Sequence, residues 1–213
     1  MTHLPEPRIA AGFIRTLAAI AVLGSISLLI GNVWGSLVVP NHDWVADTVS
    51  DLAAGRYEII QDVSLYGYAA ALLALALASA HIHQGDTSWS ALTILLVLLA
   101  VVITVIGARN EYGDGDSEGV VIHIYLVYAM GALFAGVFGL MAVEGDRFAF
   151  PVQRISKICL VLWAIGAPVF FVLPTQWDGI WERGLGVITL VWCLFYAAAL
   201  WRDVGQRTRR DDF

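Results

Sequence analysis

The sequence predicts an all-α membrane protein, a bundle of six transmembrane helices in one domain of residues 1–213. Six apolar runs alternate with polar segments, and each run approaches the roughly 20 residues that a helix needs to cross about 30 Å of hydrocarbon. A composition of 59% hydrophobic and 14% charged residues leaves too few polar side chains to coat a water-soluble globule. The predicted spans cover residues 12–34, 58–82, 90–108, 120–143, 155–173 and 180–201.

The runs are interpreted as helices because backbone N–H and C=O groups in hydrocarbon need internal partners, and the runs lack the alternation of barrel strands. The first run follows Pro5 and Pro7 and is too long for a signal-peptide core, so we expect it to remain an uncleaved helix. The fifth and sixth runs carry Cys159 and Cys193, which we interpret as apolar packing residues rather than a disulfide or metal pair.

Small residues recur at four-residue spacing in two of the runs. Gly67 and Ala71 share one face of the second helix, and Ala132 and Gly136 share one face of the fourth. Such spacing favours close helix contacts in a membrane, where lipid tails remove the usual hydrophobic drive for association. A homodimer surface, or a partner within a membrane complex, is the alternative reading.

Basic residues are distributed unequally between the two faces of the predicted bundle. Nine of the twelve lie on the face that holds both termini, so the positive-inside rule predicts that both termini are cytoplasmic. The opposite, outer face carries three basic residues and eleven acids. These acids are Asp43, Asp47, Asp51, Glu58, Asp62, Glu111, Asp114, Asp116, Glu118, Asp178 and Glu182.

The connection after the first helix forms the first outer polar segment, residues 41–52. Asp43, Asp47 and Asp51 follow one another at intervals of four, so a short interfacial helix here would place three like charges on one face and require a nearby cation. One interpretation is a solvated helix with Trp44 as its interfacial anchor. The other is that Ser50 and Asp51 turn inward over the mouth of the bundle.

The connection between the third and fourth helices suggests a calcium site. Asp114, Asp116, Glu118 and Gly119 reproduce the first half of a calcium-binding loop, in which alternating oxygens face one ion. The position that requires a bidentate glutamate holds Tyr125 instead. The default interpretation is therefore a solvated turn, and weak calcium binding stays a hypothesis.

Charged residues also lie at the outer ends of several helices. Asp62 is one turn into the second helix, Arg109 ends the third, and Glu182 and Arg183 open the sixth. Pairing among these four would offset their desolvation and tie the helix ends together as a structural ion-pair ring.

The functional alternative at the same depth is a pocket that opens outward. His123, just inside the fourth helix, would be its acid–base group or metal ligand, flanked by Ser50, Asp51 and Arg183. Zinc chemistry normally takes three protein ligands, whereas the outer face offers only His42 and His123 besides its acids.

Three short motifs give the chain a family resemblance. They are the string Thr48–Leu52, the histidine at the end of Gly119–His123, and the entry Glu182–Gly184 to the sixth helix. With these motifs the chain resembles the DUF998 family of prokaryotic six-helix membrane proteins. The resemblance implies a fold, a prokaryotic plasma membrane and the matching positions Ser50, Asp51, His123 and Arg183. It implies no substrate.

Two classes of function follow. The first is a non-catalytic membrane module, either an accessory subunit or a binder of a lipid or another small amphiphile in an outward-facing pocket. The second is a membrane-embedded lipid hydrolase or transferase that uses His123 with Ser50 and Asp51, with or without a metal. Membrane lipids are the expected partners. Nucleic acid is excluded because the only basic surface is the short tail, and the sequence indicates no cofactor beyond the calcium hypothesis.

Overall fold

Six long helices form the protein in a computed structural model that describes residues 10–53, 55–83, 85–108 and 122–211, with side chains described up to Val204. Each of the six is long and apolar enough to cross a membrane, so the predicted fold class is confirmed. The helices are α1 (Ala11–Val38), α2 (Glu58–His81), α3 (Thr87–Ala108), α4 (His123–Glu144), α5 (Val152–Phe170) and α6 (Asp178–Asp211).

Several helices begin or end outside the apolar runs because helical hydrogen bonding continues beyond the hydrocarbon layer. The third helix begins three residues before its predicted span, at Thr87. The Asp86 carboxylate caps it by accepting a 2.7 Å hydrogen bond from the Trp89 N–H, which lowers the pKa of Asp86. The same carboxylate accepts a hydrogen bond from Arg147 at the end of α4, 2.6 Å away. These two hydrogen bonds of Asp86 lie outside the apolar runs, so hydropathy could not predict them.

The helices form a closed ring in chain order, in which each packs against the next and α6 packs against α1. Because six helices alternate in direction, α1 begins and α6 ends at one end of the ring, here called the terminal end. The opposite end, where α1, α3 and α5 end and α2, α4 and α6 begin, is called the acidic end.

The α1–α2 pair packs with its backbones almost in contact. A Cβ atom added to Gly24 would lie 2.1 Å from the Gly67 carbonyl oxygen, and one added to Gly67 would lie 2.1 Å from the Ser27 Oγ. Ser27 also donates across the interface to the Ser64 carbonyl, at 3.3 Å. The small residues are therefore required here by close approach rather than by backbone conformation.

The terminal half of the ring is filled by side chains from α2, α5 and α6. Trp192 and Tyr196 are fully buried, and the Tyr196 hydroxyl lies 2.7 Å from the Ser79 Oγ across the bundle. Trp192 donates to Ser156 at 3.0 Å, which satisfies its indole N–H. Both cysteines are buried and unpaired with each other. The cavity described below lies toward the acidic end.

Candidate functional site

A cavity of about 480 Å³ occupies the acidic half of the ring. Its rim is polar and includes Ser50, His123, Asp178, Glu182 and Arg183. Its deeper wall is apolar and aromatic, with contributions from Tyr68, Phe134, Trp163 and Leu190. Because Phe134 follows His123 on one helix, the helical rise separates the two by about 16 Å along the axis. The cavity therefore has a polar mouth and an apolar depth.

The α1–α2 connection, residues 39–57, folds over this mouth and supplies part of its lining. The first N–H groups of a helix have no partner within the helix. In α6 the connection satisfies two of them: the Gly179 N–H donates to the Ala46 carbonyl at 3.2 Å, and the Ile180 N–H donates to the Val45 carbonyl at 3.1 Å. A Cβ on Gly179 would lie 2.2 Å from the Asp47 carbonyl oxygen, so this docking requires glycine.

Arg183 fastens the connection to both α1 and α6. Its guanidinium faces the ring of Trp44, with 4.6 Å between the carbon centre and the ring centroid. A guanidinium has five N–H donors, and the structure gives Arg183 five acceptors. They are Asn32 Oδ1 at 3.2 Å, the Trp44 carbonyl at 3.1 Å, the Asp47 carbonyl at 2.8 Å, Ser36 Oγ at 3.3 Å and His42 Nε2 at 2.8 Å.

His42 is held in its neutral form by this arrangement. Its side chain is 1% exposed, and burial together with the neighbouring Arg183 charge lowers the pKa of His42. Since the guanidinium can only donate, His42 Nε2 is the acceptor and the ring proton is on Nδ1, which lies 3.5 Å from Asp47 Oδ2. Protonation of His42 would put two cations in contact.

The acids of the connection cap its turns instead of forming a charged helical face. Asp47 Oδ2 accepts a hydrogen bond from the Asp43 N–H at 2.8 Å, and Asp43 Oδ1 accepts one from the Val45 N–H at 2.8 Å. Asp51 Oδ2 accepts one from the Thr48 N–H at 2.6 Å. The regular structure in this connection is 3-10 helix, at Ser50–Ala53 and Gly55–Tyr57. The carboxylates of Asp43, Asp47 and Asp51 therefore accept hydrogen bonds from backbone N–H groups of the connection.

The structure brings Ser50 and His123 together at the mouth. The Ser50 Oγ lies 3.3 Å from His123 Nε2, and His123 is 8% exposed at the first residue of α4. Asp51 turns away to Thr48, whose hydroxyl donates to its carboxylate at 2.8 Å. Of the four candidate positions, Ser50, His123 and Arg183 line the cavity, whereas Asp51 stabilises the turn beside it.

Two further polar groups line the cavity without a protein partner. Gln61 is 0% exposed, and within the described ranges neither of its amide atoms has a hydrogen-bond partner. The same holds for Asp178 Oδ1, a buried oxygen of a carboxylate at the start of α6. Buried polar atoms are normally satisfied, so these groups mark the wall that a polar ligand atom would contact.

Three of the four residues of the predicted ion-pair ring lie in the described part of the chain. Arg183 binds carbonyls and uncharged side chains, and Glu182 accepts a hydrogen bond from the Val49 N–H at 2.7 Å. Asp62 lies one turn into α2, as expected. Arg109 lies outside the described residues, and so do Asp114, Asp116 and Glu118. In the part of the chain that is described, no three histidine, cysteine or acidic side chains are grouped to hold a metal ion. Calcium binding stays a prediction.

A family model described as protein of unknown function DUF998 matches residues 22–199, which include α2 to α5, most of α1 and α6, and the whole cavity lining. The chain belongs to the DUF998 family. No curated protein sequence matches it, and no solved structure does. For this DUF998 protein, the assignment of a role therefore depends on the cavity itself.

Sequence reasoning missed Asn32, Ser36 and Gln61, and it considered His42 only as a metal ligand. Asn32 and Ser36 bind Arg183, His42 accepts from it, and Gln61 lines the cavity. The available signal was the presence of Asn32 and Gln61 inside apolar runs, where an uncharged polar side chain usually faces a helix or a cavity rather than lipid.

Proposed function

We propose that this DUF998 protein is a non-catalytic membrane module that binds a lipid or another small amphiphile in the acidic-end cavity. The observation that carries the proposal is the gradient of polarity inside one cavity, from Ser50, Asp178 and Arg183 at the mouth to Phe134 and Trp163 in the depth. An amphiphile has the same gradient, with a polar head group followed by an apolar chain.

The size and walls of the cavity fit such a ligand. Small-molecule sites typically enclose about 300–1,000 Å³ with mostly apolar walls and a few placed polar groups, and this cavity encloses about 480 Å³. The deep wall is aromatic, because Phe134 and Trp163 both line it and pack with 5.3 Å between ring centroids. Water would find few hydrogen-bond partners on such an apolar wall.

The proposed setting is a prokaryotic plasma membrane with cytoplasmic termini, as the basic residues at the terminal end predict. In that orientation the mouth lies at the outer leaflet, and outer-leaflet amphiphiles are the proposed ligands. An accessory role in a larger membrane complex, or in a homodimer, is compatible with this binding function.

Filling the cavity tests the proposal. Gly131 lines the cavity, and a Cβ added to it meets nothing within 4 Å, so the first atom of a leucine side chain fits at this position. We expect Gly131→Leu to fold normally and to lose bound amphiphile by at least about tenfold, which corresponds to about 1.4 kcal/mol. Native mass spectrometry of protein extracted gently from membranes would measure the fraction that carries a ligand.

Gly139→Leu is the matched control. Gly139 lies on the same helix, its added Cβ also meets nothing within 4 Å, and it does not belong to the cavity lining. Gly139→Leu should retain the wild-type ligand fraction. Equal occupancy in wild type, Gly131→Leu and Gly139→Leu would place any bound amphiphile outside the cavity and contradict the proposal.

The contact between Ser50 and His123 favours a second candidate function, hydrolysis or acyl transfer on a bound lipid. A hydroxyl 3.3 Å from an imidazole nitrogen is the pairing that lets histidine accept the proton of a nucleophile. The same mass spectra distinguish the two functions. A catalytic site yields a ligand cleaved or acylated relative to the membrane pool, and Ser50→Ala restores the intact ligand. An unaltered ligand in wild type supports binding alone.

A further inference from the structure

The cations available at the cavity mouth determine which head groups it can bind. Among the described residues that line the cavity, Arg183 carries the single permanent positive charge, whereas Asp178 and Glu182 are both acidic. All five guanidinium donors of Arg183 are already directed at acceptors in α1 and the α1–α2 connection. An anionic head group would have to displace one of these acceptors before Arg183 could bind it.

The unsatisfied groups of the cavity wall are mainly acceptors. Among the described residues, Asp178 Oδ1 and Gln61 Oε1 have no donor, and the two N–H groups of Gln61 Nε2 have no acceptor. Both side chains line the same cavity, and Gln61 is 0% exposed, so bulk water cannot serve it as it serves a surface amide. A head group with N–H or O–H donors would satisfy the wall, whereas a phosphate or carboxylate would add negative charge beside Asp178 and Glu182.

We infer that the cavity selects amphiphiles whose head group donates hydrogen bonds and carries no negative charge, namely an ammonium or a hydroxyl head group. The inference rests on the proposed function, and it adds the chemical class of the ligand. Gln61 and Asp178 are the selecting residues. Arg183 shapes the mouth by holding the α1–α2 connection and does not bind the ligand.

Three probes with the same twelve-carbon chain test the selection. They are dodecylamine, 1-dodecylglycerol and dodecyl phosphate, titrated at pH 7 into the full-length protein in nanodiscs of zwitterionic phospholipid, with empty nanodiscs measured in parallel to subtract partition into the bilayer. We expect the amine and the glycerol ether to bind at least tenfold more tightly than the phosphate. Probe binding would be measured by native mass spectrometry and by the shift in melting temperature.

Two variants test separately how Gln61 and Asp178 contribute to the preference for the amine and the glycerol ether. Gln61→Leu should weaken both favoured probes at least fivefold and leave the phosphate unchanged. It should also raise the melting temperature without any probe, because it removes a buried amide that lacks partners. Asp178→Asn should weaken the amine alone. Gln176→Leu is the matched control, since Gln176 is exposed and lies outside the cavity lining.

The outcomes distinguish a failed inference from a failed binding function. Dodecyl phosphate binding as tightly as the other two probes, with sensitivity to Gly131→Leu, would overturn the selection but keep the cavity as a binding site. Gln61→Leu without effect on any probe would also overturn the selection. If no probe binds beyond the empty nanodiscs, the proposed function itself is contradicted.

Discussion

Replacement of Arg183 by methionine is expected to destabilise the protein by about 3 kcal/mol and to release the α1–α2 connection from α6. The substitution keeps an apolar stem of similar length but leaves Asn32, Ser36, His42 and two backbone carbonyls without their donor. Arg183→Lys should be more stable than Arg183→Met but less stable than the wild type, because one ammonium cannot replace the five N–H donors of a guanidinium. The melting temperature in detergent gives the global effect.

A local readout and a control make this result specific to the connection. Hydrogen exchange of residues 44–49 should accelerate in Arg183→Met, since their carbonyls and N–H groups dock on α6. Arg56→Met is the matched control, because Arg56 lies at the same end of the bundle and is exposed. If Arg183→Met melts with the wild type and its exchange at residues 44–49 is unchanged, Arg183 does not hold the connection.

Gly24→Val is expected to have a comparable effect at the α1–α2 interface. The new Cβ would lie 2.1 Å from the Gly67 carbonyl oxygen, a backbone atom that no rotamer change can move away. The two helices must then separate, which we expect to cost about 3 kcal/mol, the upper part of the range for overpacked sites. The expected result is a lower melting temperature with reduced yield of folded protein.

Gly12→Val serves as its control on the same helix. A Cβ on Gly12 meets nothing within 4 Å, so the same substitution adds the same bulk without a clash. Gly12→Val should melt close to the wild type. Equal behaviour of the two variants would show that the α1–α2 spacing can adjust, against the close packing described above.

The fold could be predicted from the sequence because a membrane imposes one simple requirement on every span. Length and apolar composition identified all six helices, and only their ends differed, as at Thr87, where the Asp86 cap and not hydropathy decides the start. Docking of the α1–α2 connection could not be predicted. It depends on Gly179 and on backbone carbonyls, whose positions a residue pattern does not specify.

The sequence predicted those parts of the candidate site that depend on how deep a residue lies along its helix. The proximity of Ser50 and His123 followed from their equal depth and short distance to helix ends. The sequence predicted an ion-pair role for Arg183, which stays a prediction; the carbonyl and amide acceptors that bind its guanidinium in the structure could not be predicted, because they depend on how the connection folds. Gln61 belongs to no motif, because a single glutamine on an apolar helix is equally typical of a residue that hydrogen-bonds a neighbouring helix. Only the structure shows that its amide atoms have no partner among the described residues.

The most direct test of the central claim is the depth that an amphiphile chain reaches in the cavity. Trp163 lies in the deep wall and is 5% exposed, so a chain that enters the cavity brings bromine at its end closer to this indole than bromine next to the head group. Dodecylglycerol would carry bromine either at the chain end or next to the head group. Subtraction of the Trp163→Phe variant would isolate the signal of Trp163 from the other tryptophans.

Binding in the cavity, chain first, predicts strong quenching of Trp163 by the bromine at the chain end, weak quenching by the bromine near the head group, and loss of both in Gly131→Leu. Equal quenching by the two probes, or quenching that persists in Gly131→Leu, would mean that the amphiphile lies on the outside of the bundle, and the binding function proposed for the cavity would be wrong.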